Sequence, residues 1–132
     1  MRRQKIYAVL IIITLTAGAV LFFAFYNRSV FNGNRVADRN SYMLDIRRMN
    51  GTDTHSLELR DGDTLGIRFN GKKSSLHMEI RSPDGKVLYA GNGTEATDFT
   101  ISVPKHGSYL IFVKACHATG GSISIKVRRG MK

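Results

Sequence analysis

The sequence carries a single cysteine, Cys116, which is directly followed by His117 and lies ten residues after His106. A thiol close to imidazoles could act as a nucleophile or contribute to a metal site. A structural zinc site needs four ligands, commonly cysteine and histidine pairs at short spacing, and no such pair is present. Alternation along a strand would also direct Cys116 and His117 to opposite faces. We therefore expect no metal, and interpret Cys116 as a semi-buried cysteine near a strand end.

A nucleophilic cysteine would need a base placed by the fold, a role open to His55, His77, His106 or His117. No oxyanion loop, catalytic carboxylate pair or phosphate-binding glycine loop marks an active site. The sequence therefore predicts a non-enzymatic protein without a cofactor, and a small cysteine-dependent enzyme is the less favoured alternative. Because one cysteine cannot form an internal disulfide, the core alone must stabilise the domain.

An apolar N-terminal stretch precedes the segments that would position Cys116 and the histidines. Residues 6–26 form 21 uncharged residues, enough to cross a bilayer as a helix, after a short basic tail at residues 1–5. We expect an uncleaved transmembrane helix, with a leader cleaved at Ala17-Gly18-Ala19 as the alternative. Positive charge in the tail favours a domain outside the cell membrane. Arginines after the stretch keep open the inverted alternative, a cytoplasmic accessory or immunity-type domain beside a membrane partner.

Residues 27–41, which are rich in Asn, Arg, Gly and Ser, are interpreted as a polar tether. Over residues 42–129, apolar and polar residues alternate with a period of two, which is typical of β-strands. The run from Ser108 to Ala115 is apolar on both faces, which indicates a central strand, and the segment from Val103 to Val127 is interpreted as a hairpin. The Asp61-Gly62-Asp63 turn could suit Ca²⁺, but Asp-Gly is also common turn chemistry. The prediction is an all-β, jelly-roll-like antiparallel β-sandwich of about eight short strands.

Positive charge is the clearest functional signal. The chain has a net charge of +10, and residues 27–132 contain 17 basic and 10 acidic residues. Outward positions of neighbouring strands could gather Arg68, Arg81, Lys126 and Arg128 into one face for an anionic polymer or lipid headgroups. Nucleic acid is disfavoured because no aromatic residues are interleaved with these cations. An ordinary solvated surface is the alternative.

Four stretches of the chain carry a family resemblance: LRDGDTLGIRF, IRSPDGKVLYAGNG, FTISVPKHGSYLIFV and GGSISIKV. They resemble small bacterial extracytoplasmic β-sandwich modules of the GOLD and pre-peptidase C-terminal types. The resemblance implies a non-catalytic module for binding or assembly, and it transfers no functional residue because the shared motifs are turns and core positions. Together these features predict a single-pass membrane protein that displays a binding module at the bacterial cell envelope. A protein or an anionic polymer is the expected partner, and the oligomeric state is left open.

Overall fold

The computed structural model describes residues 28–72 and 75–130, together with residues 16, 17, 19 and 21. The predicted basic tail and most of the predicted transmembrane helix at 6–26, including Gly18 of the cleavage sequence, lie outside the described residues. Within the described part, no helix has the length and apolar character needed to span a membrane. The membrane anchor therefore stays a prediction.

The described part of the chain after residue 28 folds into eight β-strands, all paired antiparallel in one curled sheet. The strands are β1 (Val30–Ala37), β2 (Ser41–Leu59), β3 (Thr64–Asn70), β4 (Leu76–Arg81), β5 (Val87–Gly91), β6 (Thr97–Ser102), β7 (Gly107–Ala118) and β8 (Gly121–Arg128). Their order is β5-β4-β7-β2-β8-β3-β6, with β1 added beside β2. The predicted all-β antiparallel class is confirmed.

The 19-residue β2 gives the sheet its sandwich-like shape. Its first half, from Ser41 to Ile46, pairs with β8, whereas its second half pairs with β7. The sheet is thereby divided into two layers, β2-β8-β3-β6 and β2-β7-β4-β5, and buried apolar residues of both layers form one core. Strands that pass from one layer to the other at a bulge or bend are a known way to make such corners. The layers have the strand order expected of a jelly roll.

The segment predicted as a polar tether, 27–41, instead contains β1. This strand pairs with β2 from Val30 opposite Asn50 to Ala37 opposite Tyr42. The tether prediction is thus wrong for residues 30–37, because β1 lies at the edge of its layer with mostly exposed side chains and so shows no apolar alternation.

A partly buried polar contact links β1 to the second half of β2. Arg35 Nε donates to Asp53 Oδ2 over 2.9 Å, and the Tyr42 hydroxyl donates to the same oxygen over 2.5 Å. The ring of His55 stacks on Tyr42 with 5.6 Å between centroids. Burial, together with the bond to Asp53, raises the pKa of the Tyr42 phenol, so the phenol stays neutral and acts as a donor.

The predicted hairpin between Val103 and Val127 is also wrong. β7 and β8 are consecutive and only two residues separate them, yet they do not pair with each other. They lie end to end along the same edge of β2, and each pairs with a different half of that strand. The chain leaves one layer at Ala118 and enters the other at Gly121, so the tight link is a crossing between layers. The predicted central position of Ser108 to Ala115 is confirmed, since β7 is flanked by β4 and β2.

A second polar contact closes one end of the domain. Asp63, only 3% exposed, accepts hydrogen bonds from the amides of Arg60 and Gly130 and from Arg129 Nη1, each over 2.9 Å. Arg129 also donates to the carbonyl oxygens of Glu58 and Arg39. The C-terminal segment is thereby tied to the turn between β2 and β3. The amides of Gly130 and Arg60, and then Arg129, hold the pKa of Asp63 below its usual value.

We expect Asp63→Asn to lower the free energy of unfolding at pH 7 by about 1–3 kcal/mol, since buried donors lose a charged acceptor. Because the folded pKa of Asp63 is depressed, its contribution is present above the unfolded value of about 3.9 and is lost as the pH falls through the folded value. The free energy of unfolding, measured with urea at pH 7 and pH 3, should therefore differ less between the two pH values in the variant than in the unchanged protein. Asp45→Asn, at an exposed residue of β2, is the control, and equal effects of the two changes would contradict this role.

We expect Gly33→Ala to destabilise the fold by about 3 kcal/mol or more. Gly33 of β1 lies opposite the bulge of β2 and has a φ of +149°, and a Cβ there would overlap the carbonyl oxygen of Asp45. Gly66→Ala is the matched control in β3, because its Cβ would meet nothing nearer than the Lys126 carbonyl oxygen at 3.9 Å. Thermal unfolding of both variants checks this, and similar stabilities would show that the bulge does not require glycine.

Candidate functional site

Three of the four predicted basic residues share one outer surface. Lys126 and Arg128 lie on β8 and Arg68 lies on the neighbouring β3, and all three are exposed. They alternate with buried residues of the same strands, so they project from the layer on the side away from the core. We call the surface formed by these three cations the β8 face.

Arg81 lies elsewhere. It ends β4, which belongs to the other layer and pairs with β5 and β7. Its Nε and Nη2 donate to Glu79 Oε2 over 3.0 and 2.7 Å. Hydrogen bonds from His77 and Arg81 hold the pKa of Glu79 below its usual value. The structure therefore brings together Arg68, Lys126 and Arg128 but not Arg81, because alternation within a strand does not reveal which layer the strand joins.

The cations of the β8 face differ in their partners. Arg68 forms an ion pair with Asp98 on β6 over 3.2 Å, and both side chains are at least 70% exposed. Such an exposed pair contributes little to stability, so Arg68 can exchange this partner for another anion. Lys126 and Arg128 have no acidic partner within the described part of the chain. The free positive charge of the face is thus concentrated on β8.

Small residues surround these cations. Lys126 lies opposite Ser41 of β2 on one side and Gly66 of β3 on the other. Arg68 lies opposite Ser124, and Arg128 lies opposite Thr64. The face is therefore open, and two cations stand about 7 Å apart along one strand. This arrangement can donate charge-assisted hydrogen bonds to an extended anionic ligand.

Cys116 is exposed on β7, so its prediction as a semi-buried residue is wrong. Its backbone amide donates to Ser75 over 2.9 Å. His117 follows with a positive φ of 50°, and Ala118 takes the next buried position. Among the described residues, no three His, Cys, Asp or Glu side chains come close enough together to hold a metal ion.

A second basic site lies where β2 bends, and the sequence prediction missed it. Arg47 is the extra residue of a bulge, since Asn32 pairs with Arg48 while Gly33 pairs with Ile46. Next to this bulge is a pocket of about 260 Å³, the bend pocket, lined by Arg28, Val30, Arg48, Met49, Asn50, His117 and Thr119. The Arg47-Arg48 dipeptide is a visible signal of positive charge, but the bulges that shape the pocket are not readable from the sequence pattern.

No protein family model matches the chain, and no curated protein matches it. Similar solved structures include PliG of Aeromonas hydrophila, a periplasmic inhibitor of g-type lysozyme, at 19% identity and a TM-score of 0.49, covering 68% of this chain and 88% of that chain. The pre-peptidase C-terminal domain of a Bacillus anthracis collagenase has 13% identity and a TM-score of 0.47, covering 77% and 100%. A family 35 carbohydrate-binding module from an environmental isolate has 19% identity and a TM-score of 0.40, covering 77% and 83%.

A pre-peptidase C-terminal domain is thus among the similar structures, as the resemblance of the sequence predicts. The three neighbours are an inhibitor, a domain of a collagenase and a carbohydrate-binding module. At these identities and TM-scores, none of the likenesses identifies a ligand or a binding residue of this chain.

Proposed function

We propose that this chain is a non-enzymatic binding module, held at a bacterial membrane by residues 6–26, and that its domain lies outside the cell. The β8 face would bind an anionic polymer of the cell envelope. The observation that carries this proposal is the pair Lys126 and Arg128, two exposed cations on one strand with no acidic partner among the described residues.

The charge distribution supports an anionic partner. Ion pairs occupy Arg35, Arg68, Arg81, Lys105 and Arg129, and of these Arg35, Arg81 and Arg129 also stabilise contacts within the fold. The cations of β8 take no part in such contacts. Since no ion pair among the described residues uses them, their charge is available to an anionic ligand.

The shape of the face favours a polymer. Small residues flank Lys126 on both sides, so its strand neighbours leave room for a chain-like ligand beside it. A polymer also presents several anions at once, and an anchored domain would meet it at high effective concentration. Weak single contacts would then sum to useful binding.

We expect the double variant Lys126→Gln and Arg128→Gln to weaken binding of the full chain to alginate, a polycarboxylate, by about tenfold or more. Binding is measured across a salt series in uncharged detergent micelles, and the variant should show a smaller salt dependence because it makes fewer ionic contacts. Lys86→Gln with Lys114→Gln removes the same charge from other exposed sites and is the control. Equal losses in both double variants, or binding that ignores salt, would contradict the β8 face as the site.

We expect an impermeant thiol reagent to label Cys116 in intact bacterial cells that express the full chain. The thiol is exposed in the folded domain, so labelling reports which side of the membrane the domain occupies. Cys116→Ser is the control for background labelling, and detergent-solubilised protein is the control for reactivity. Labelling only after lysis would place the domain in the cytoplasm.

A further inference from the structure

The residues that line the bend pocket make it electropositive. Arg28 and Arg48 both line it, and no carboxylate is among its lining residues. Neither guanidinium has an ion-pair partner within residues 28–72 and 75–130. The aliphatic part of the Lys72 side chain lies beside Gly120, which follows the pocket residue Thr119.

The side chain of Asn50 links two of the segments that line the pocket. Asn50 Nδ2 donates to the carbonyl oxygen of Arg28, and Asn50 Oδ1 accepts from the amide of His117, each over 3.1 Å. These two bonds join the segment that leads into β1 to the end of β7. Both polar ends of Asn50 are thus used inside the protein, and the guanidinium groups of Arg28 and Arg48 are available to a ligand.

A bulge in β7 directs His117 to this pocket. Met49 pairs with Ala118 whereas Gly51 pairs with Ala115, so β7 has one residue more than β2 at this point. His117 takes the left-handed backbone conformation there, and Ala118 is buried in its place. Bulges that redirect a side chain are common beside functional sites.

We propose that the bend pocket binds a phosphate group. Two arginines, an imidazole and the hydroxyl of Thr119 are suited to a compact oxyanion, and guanidinium groups bind phosphate with paired hydrogen bonds. A planar carboxylate would use fewer of these donors, which lie on three separate segments of the chain.

The position of the pocket points to a lipid headgroup as the source of this phosphate. Arg28 lies two residues after the apolar stretch 6–26, so an extended link places it within about 7 Å of the end of that stretch. This part of the inference rests on the proposed membrane anchor, whereas the phosphate site itself does not. Anionic lipids attract basic residues next to a membrane.

The test uses the full chain in uncharged detergent micelles, titrated with inorganic phosphate. The amide resonances of His117 and Thr119 report binding. We expect shifts that sodium chloride at equal ionic strength does not produce. Arg48→Gln should raise the apparent Kd by about tenfold or more, whereas Arg47→Gln, at the neighbouring residue outside the pocket, should have little effect. Arg28→Gln, which keeps the backbone carbonyl that Asn50 uses, is the second variant.

Equal responses to chloride and phosphate, or equal effects of Arg47→Gln and Arg48→Gln, would overturn the site. A second arm uses nanodiscs of phosphatidylglycerol or phosphatidylcholine, and we expect the shifts only with the anionic lipid, because the choline cation is repelled by the pocket. A response to free phosphate without one to phosphatidylglycerol would support the phosphate site and overturn the lipid source. Lys126→Gln with Arg128→Gln should leave the phosphate response intact, which separates this site from the proposed function.

Discussion

The fold depends on one strand, β2, that belongs to both layers of the sheet. β2 exchanges β8 for β7 along its length, and the exchange requires a bend that an uninterrupted ladder of hydrogen bonds would resist. Bulges at Arg47 and at His117 supply the irregular pairing, and Gly33 lets the edge strand follow it. If the bend were removed, the two apolar surfaces would no longer meet, and the core would not form.

Both candidate sites arise from this bend. The first half of β2 places Ser41 beside Lys126, which keeps the β8 face open. The bend itself brings Arg48 and His117 to one pocket from strands that otherwise present their side chains to different surroundings. Arginines engage the carboxylates of Asp53 and Asp63 within the fold. Lys126 and Arg128 on the β8 face, and Arg28 and Arg48 in the bend pocket, form no ion pair among the described residues.

Local patterns in the sequence predict the strands well and their arrangement poorly. Alternation identifies the buried face of β7 at Tyr109, Ile111 and Val113, because burial on one side leaves a direct record in residue type. It divides β2 into two strands, since the polar stretch around the bend interrupts the pattern. Edge strand β1 has mostly exposed side chains, so its residue types do not alternate and do not reveal it. The grouping of Arg68 with Lys126, and the exclusion of Arg81, depend on pairing between distant segments, which alternation does not encode.

The pairing of β2 with β8 also sets an order of events during synthesis. Tyr42 lies opposite Ile125, so the first half of β2 lacks its partner β8 until a segment 83 residues further along the chain has been synthesised. Contacts of such large sequence separation form slowly because closing the intervening loop costs chain entropy. The growing chain must therefore keep several apolar strands from associating with other molecules until β8 emerges. A chain truncated before Gly121 would lack this final step and would be prone to aggregation.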